Sequence, residues 1–275
     1  MGTEKAILIV PAYNEEANIP LPVKSGLALL ERGVISDFIV IDDGSKDRTA
    51  DVVRALGAKV ISQPKNTGKG DAFLRGVLYA AENSADFAIM CDADLKEPLT
   101  KKHIEAMLGP MRKDGRIGMV AYPDIEGRIR TGAIVSGERA IRMSKLGFLF
   151  KRKGDGSIGL RDSSRARWFC DGVRGFGLEP MLNAIIPGAA ARFLSSDDVP
   201  AICKSDPWRL GKKKQQDEQV AAAKKIEERR AELAKLRILK ASAGWKAAIQ
   251  TKSPELRAMQ VRKLRHETVC LRAVV

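Results

Sequence analysis

Four short apolar runs, at residues 6–10, 38–41, 59–61 and 87–90, are separated by segments of helical length at 19–32, 49–56 and 71–81. Runs of Ile, Val and Leu without polar alternation belong to strands covered on both faces, and connections this long accommodate helical crossovers. The pattern predicts a β-α-β-α-β-α-β unit with a parallel sheet. At 275 residues and 44% hydrophobic content the chain can bury a sizeable core as one α/β domain with an appendage. Ligands of such sheets sit beyond the carboxyl ends of the strands, so the residues that follow each run are the ones to inspect.

The first run leads into Pro11-Ala12-Tyr13-Asn14-Glu15-Glu16, which places an aromatic ring, an amide and two carboxylates where a base and ribose can be held. The second ends in Asp42-Asp43-Gly44-Ser45, and two adjacent acids at a strand end cannot both turn away from the cleft without an unusual turn. Ser45 or Asp47 suits the cap of the next helix. After the third run, Asn66-Thr67-Gly68-Lys69-Gly70 opens a helix, where glycines allow close backbone approach and the helix N-terminus with Lys69 favours a phosphate. It is not a P-loop, because the glycine spacing and the Ser/Thr after the lysine are missing. Cys91-Asp92-Ala93-Asp94-Leu95 follows the fourth run, and its two carboxylates beside a diphosphate suit Mg²⁺ or Mn²⁺.

Beyond Asp94 the pattern predicts a helix at 101–112, a strand at 117–121, a basic amphipathic helix at 139–149, a glycine-rich loop at 151–162 and a last strand near 192–194. A further helix at 217–240 carries a thin apolar stripe of Val220, Ala223, Ile226, Leu233 and Leu236, and another starts at Ser253-Pro254-Glu255. The domain division expected is 1–211 for the α/β domain and 212–275 for a basic helical extension. Residues 204–275 hold 19 basic and 8 acidic side chains of a total net charge of +14, so the first 203 residues carry only +3. The extension is either drawn to something anionic, a lipid surface or nucleic acid, or is a solvated helical face.

The four cysteines form no CxxC pair and the chain has only two histidines, His103 and His266, which leaves no zinc ligand set. They read as reduced thiols of a cytoplasmic protein. No apolar stretch is long enough for a signal peptide or a membrane span, so a soluble chain is expected.

Taken in order, ILIVPAYNEE, VIDDGSKDRT, NTGKGDA and IMCDADL resemble the family two glycosyltransferases of GT-A fold, nearest the polyprenyl-phosphate (dolichyl-phosphate) sugar transferases, with the glucosyl-phosphoglycerate synthases as more distant cousins. The resemblance covers residues 6–95, and Ser136–Ala140 and Gly175–Glu179 resemble later, less specific blocks. It implies a Rossmann-like, mostly parallel sheet flanked by helices that binds a nucleotide-diphosphate sugar. Pro11, Ala12, Tyr13 and Glu15 would frame the nucleoside, Asp43 would bond the base with Asp42 supporting the turn, and Lys69 and Ala93 would complete the donor site. Asp92 and Asp94 would form the DxD element that holds Mg²⁺ or Mn²⁺, Asp94 as direct ligand and Asp92 on ribose or metal. Arg128, Arg130, Arg139 and Arg142 lie where such enzymes bind an acceptor phosphate. One departure stands out: a Gln common in the polyprenyl-phosphate branch is Lys96 here, which either turns toward phosphate or weakens the metal site.

A hydroxyl acceptor needs a general base, for which Asp171 and Glu179 are candidates, whereas a lipid phosphate is already anionic. The leading expectation is a metal-dependent transferase acting on a polyprenyl phosphate, peripheral on the inner face of a membrane, with the basic extension as anchor. An alternative makes the extension a clamp on DNA whose hydroxylated base is the acceptor. A second alternative is a non-catalytic nucleotide-sugar-binding protein.

Overall fold

The four apolar runs are neighbouring strands of one sheet in a computed structural model of the chain, which describes residues 4–122, 124–126, 129–130, 137–173, 178–186, 190–194 and 202–204. They are β1 (Ala6–Ala12), β2 (Asp37–Asp42), β3 (Val60–Ser62) and β4 (Phe87–Met90), joined by α1 (Pro20–Glu31), α2 (Thr49–Ala55) and α3 (Lys69–Glu82). Every residue of β1 and of β4 is buried, as strands covered on both faces require. The chain continues through α4 (Lys101–Lys113), β5 (Met119–Ala121), β6 (Asp124–Glu126), β7 (Ile129–Arg130), β8 (Arg139–Arg142) and α5 (Met143–Leu146). There follow β9 (Phe150–Arg152), β10 (Ile158–Leu160), α6 (Ser164–Val173), α7 (Leu178–Ile185), β11 (Ala191–Phe193) and β12 (Ile202–Lys204).

The main sheet has the order β11-β5-β8-β4-β1-β2-β3, and β6 pairs with β7 and β12 in a smaller one. Within the main sheet β8 runs antiparallel to both its neighbours and the other pairings are parallel. From β1 the chain steps outward to β2 and β3, then returns to the opposite side of β1 as β4. The order reverses there, and in sheets of this kind the ligand crevice lies at the carboxyl ends of the two strands that flank the reversal, here β1 and β4.

Helix α3 lies close against this centre because its glycines leave no side chain in the way. A Cβ on Gly76 would stand 2.3 Å from Ile9 Cγ2, and one on Gly70 would stand 1.7 Å from the Val173 carbonyl oxygen. Phe73 and Val77 of the same helix are fully buried, each worth about 1.5–3 kcal/mol relative to exposure. On α4, Thr100 and His103 form a reciprocal capping box. Burial lowers the His103 pKa, and its ring meets the Tyr122 ring edge-on at 5.5 Å.

Two local expectations are corrected. Residues 139–142, read as the start of an amphipathic helix, are strand β8, and only Met143–Leu146 is helical before a short 3-10 turn. Ala140 and Ile141 are buried between β4 and β5, so the apolar spacing served a strand inserted into the sheet. The segment read as a loop at 151–162 is largely the hairpin of β9 and β10 with its turn at Gly156, whose φ is 83°. There Arg152 Nη1 donates to the Gly156 carbonyl at 2.8 Å. No helix among the described residues is long and apolar enough to cross a membrane. The expected extension at 212–275, with its helices, lies outside the described residues.

At the amino end of β2 the Asp37 carboxylate accepts bonds from Tyr79 Oη at 2.6 Å and from Lys59 Nζ at 2.8 Å. Burial pushes the Asp37 pKa up, but the Lys59, Tyr79 and Phe38 donors outweigh it and hold the carboxyl below its ordinary 3.8. A depressed carboxyl contributes stability above its unfolded value and loses it as pH falls through the folded one. Tyr79→Phe is therefore expected to lower the unfolding free energy by about 1.5 kcal/mol at neutral pH. In urea titrations the gap from the parent chain should close as pH drops below 3.8; a gap independent of pH would contradict this assignment.

Candidate active site

The carboxyl ends of β1, β2 and β4 bring the first, second and fourth motifs to one edge of the sheet, and the amino end of α3 brings the third. In the first, Asn14 takes a left-handed φ of 54°, which asparagine tolerates better than most residues. Its N–H donates to Ser45 Oγ at 2.9 Å and its Oδ1 accepts from Lys46 N at 2.8 Å, so this amide laces the loop after β1 to the loop after β2. Glu15 N donates to Thr49 Oγ1 at 2.8 Å, and Asp47 accepts from Glu16 N and Thr49 N. Burial pushes the Asp47 carboxyl up, but these donors and the Thr49 hydroxyl outweigh it, so its pKa is lowered. Pro11 and Ala12 are buried, and Tyr13 is exposed at the rim.

Asp42 is buried and its Oδ1 accepts from Ser45 N at 3.0 Å, holding the turn. Asp43, only 3% exposed, does more. Its Oδ1 accepts from Gln63 Nε2 at 2.7 Å, Thr67 N at 3.0 Å and Thr67 Oγ1 at 3.1 Å, and its Oδ2 accepts from Gly68 N at 2.7 Å. A carboxylate offers about four acceptor positions, two on each oxygen; three of these donors meet Oδ1 and one meets Oδ2. Asp43 thus fastens the loop before α3 to the end of β2, and Oδ2 keeps an acceptor position beside the Gly68 N–H. Gly44 has a φ of 70°, and a Cβ there would stand 2.4 Å from the Lys65 backbone, so the turn beside this clamp requires glycine.

Lys69, the first residue of α3, was expected to face a phosphate. Its Nζ lies 2.8 Å from Asp92 Oδ1 and 2.9 Å from Glu179 Oε1, joining the end of β4 to α7 through one ammonium. Glu179 is buried, Asp92 and Asp94 are half-buried, and Ala93 between them is buried. Asp92 is braced from behind: its N–H donates to Oε1 of the fully buried Glu138 at 3.2 Å, and a Cβ on Gly137 would stand 2.3 Å from Asp92 Oδ2. Lys96 turns to the loop after β1, where its Nζ donates to Asn18 Oδ1 at 3.1 Å while Asn18 Nδ2 donates to Glu15 Oε2 at 2.6 Å.

Among the described residues, Arg139 and Arg142 turn to different partners. Arg139 is fully buried and donates to Asn183 Oδ1 at 2.7 Å. Arg142 stands beside Phe87, at the amino end of β4 and away from the crevice, with its guanidinium over the Phe87 ring at 4.9 Å and bonded to the Met111 and Ile117 carbonyls. Both guanidiniums are bonded to groups of the protein in this arrangement. Arg128 and the side chain of Arg130 lie outside the described residues. Asp171 is exposed on α6, the helix whose Val173 carbonyl meets Gly70. Among the described residues no three His, Cys, Asp or Glu side chains converge as a metal site. Asp92 and Asp94 fit a hard divalent cation that takes its remaining oxygens from a diphosphate.

A mostly parallel sheet with an Asp-Ala-Asp turn at its switch point, a lysine-bearing helix N-terminus and one inserted antiparallel strand is the GT-A-like class of α/β fold. The model of the family described as Glycosyl transferase family 2 matches residues 7–161, more than half of the chain, and the chain belongs to that family. It is 28% identical over 191 residues to a dolichyl-phosphate beta-glucosyltransferase of Trichomonas vaginalis, covering 60% of this chain and 58% of that one. It is 35% identical over 98 residues to an undecaprenyl-phosphate 4-deoxy-4-formamido-L-arabinose transferase of Pseudomonas aeruginosa, covering 33% of this chain and 28% of the other. The matched stretches thus span less than two thirds of these relatives' own lengths. Glucosyl-3-phosphoglycerate synthase of Mycobacterium tuberculosis, solved in complex with uridine diphosphate, shares the fold with a TM-score of 0.58 at 22% identity, over 82% of this chain and 80% of that one.

Replacing Asp43 by alanine leaves Gln63 Nε2 and two backbone N–H groups without their acceptor, and should destabilise the chain by about 3 kcal/mol, or about 10 °C in thermal midpoint. An Asp43 that instead serves only to read a base would leave the midpoint unchanged while nucleotide affinity falls. Calorimetry of unfolding and of UDP binding on the same variant separates the two.

Proposed function

We propose that the chain transfers a sugar from a nucleoside-diphosphate sugar to a lipid phosphate of the polyprenyl type. The observation that carries this reading is the Lys69–Asp92–Glu179 arrangement at the crevice, because it puts a carboxylate pair and a cation at the helix N-terminus where a diphosphate docks. Asp94 with Asp92 would hold Mg²⁺ or Mn²⁺, which when bound supplies positive charge to the leaving diphosphate. The chain's own contribution is positional. Lys69 and the first turn of α3 hold the phosphates, Tyr13 and the loop after β1 border the nucleoside, and Asp43 keeps that helix N-terminus in register with β2.

The acceptor follows from what the site offers as a base. Glu179 is buried and ion-paired to Lys69, an environment for holding an ammonium rather than for taking a proton from an entering hydroxyl. An acceptor that arrives as a phosphate oxyanion needs no such base. The names of the Trichomonas and Pseudomonas relatives, both acting on polyprenyl phosphates, support the same class. The synthase of Mycobacterium tuberculosis has also been solved with Mn²⁺ and UDP-glucose, at a TM-score of 0.50 and 23% identity over 74% of this chain and 70% of that one, which makes UDP-sugars with Mn²⁺ the first donors to test.

Asp94→Asn is expected to lower metal-dependent donor turnover about a hundredfold or more while the thermal midpoint stays near that of the parent. The assay is release of UDP from UDP-glucose with and without an undecaprenyl phosphate acceptor, in Mn²⁺ and in EDTA. Full activity of the variant, or of the parent in EDTA, would remove the metal from the account.

A further inference from the structure

Positive charge on the α/β part of the chain is concentrated in one place. Residues 150–167 hold six basic and two acidic side chains, whereas the other residues up to Cys203 hold 23 basic and 24 acidic. All six, Lys151, Arg152, Lys153, Arg161, Arg165 and Arg167, are exposed on the β9–β10 hairpin and α6. Several are fixed in place. Arg161 bonds the Phe150 carbonyl at 2.9 Å, pinning the base of the hairpin, and Arg165 stacks over the Phe148 ring at 4.3 Å.

Leu160, paired across the hairpin with Phe150, is 42% exposed and shares its face with Arg152, while Lys151 and Lys153 lie on the opposite face of the same hairpin. Leu160 and Tyr13 are the two exposed large hydrophobic side chains among the described residues, and the Tyr13 ring belongs to the rim of the donor site. A narrow hairpin that exposes an aliphatic side chain on one face and long cationic ones on both is a composition that inserts at a lipid headgroup layer, where lysine and arginine stems lie along the apolar surface and their heads reach phosphate. Strand β10 and helix α6 both pack on α3, the helix that carries Lys69 into the site.

We infer that the β9–β10 hairpin, with the first turns of α6, is a membrane-docking surface that seats the protein on anionic lipid headgroups with Leu160 as its inserted residue. The inference deepens the lipid-phosphate reading above and rests on it, and it adds a docking element distinct from the basic extension at 212–275.

The test is cosedimentation of the full-length protein with equimolar phosphatidylcholine–phosphatidylglycerol vesicles at low salt. Lys151→Glu with Lys153→Glu should weaken binding about thirtyfold, at roughly fivefold for each lysine near an anionic surface. Leu160→Ser should weaken it about fivefold through lost apolar burial. The same charge change made on α1 and α4, Lys24→Glu with Lys101→Glu, should weaken binding clearly less than the hairpin pair, because only charges close to the anionic surface gain about fivefold each. The difference should widen at about 0.1 M salt, where the Debye length is about 10 Å. All the substituted side chains are exposed, so thermal midpoints should match the parent. Equal losses from the hairpin and control pairs, or parent-like binding by the hairpin pair, would overturn the inference. So would a hairpin pair that keeps its vesicle binding and loses duplex DNA. UDP affinity measured alongside keeps the two claims apart, since a protein that docks through the hairpin but binds no nucleotide would refute the proposed activity and leave the docking surface standing.

Discussion

One ammonium ties together three parts of the chain that the sheet topology delivers separately. Lys69 comes from the start of α3, Asp92 from the turn after β4 and Glu179 from α7, and the Lys69 Nζ lies within 2.9 Å of both carboxylates. Glu179 is buried, so removing the lysine would leave a carboxylate away from water without this counter-ion, an arrangement that costs several kcal/mol. The same ammonium stands at the helix N-terminus where the proposed activity would seat a diphosphate.

Around it the site is held by a set of buried and half-buried contacts. Asp43 gathers four donors and fixes the approach of α3 to β2. Glu138 and the missing side chain of Gly137 set where Asp92 can sit. Gly70 and Gly76 let α3 close on α6 and β1, which a single methyl group at either position would prevent. Precision of this kind, with reactive side chains held by a second layer of bonds, is what orients groups for transfer chemistry.

The strands and helices up to Asp94 were legible because their signal is local: unbroken Ile/Val/Leu runs, helical spacings and glycine-rich turns at the strand ends. The candidate residues after each strand were legible for the same reason. What periodicity could not show was partnership. Arg139 and Arg142 read as basic helix residues because nothing in a linear pattern reveals that Asn183, or the carbonyls of Met111 and Ile117, will take their guanidiniums. Gln63, Thr67 and Glu138 carried no motif of their own, and their roles come from contacts spanning 20 to 46 residues. The departure at Lys96 was visible, but its attachment to Asn18 depends on how two loops meet above the sheet.

Membership of glycosyl transferase family 2 sets the class of chemistry, and under the proposed function two carboxylates, Asp92 and Asp94, would share a cation with a diphosphate. Two carboxylates make a weak cation site by themselves, and a diphosphate supplies the missing oxygens, so the two ligands should bind with positive coupling. Calorimetric titration of Mn²⁺ into the protein with and without saturating UDP tests this directly. The account predicts Mn²⁺ affinity raised about tenfold or more by UDP, with the same factor when UDP is titrated with and without Mn²⁺. Mn²⁺ affinity unaffected by UDP, or UDP binding that ignores EDTA, would contradict it.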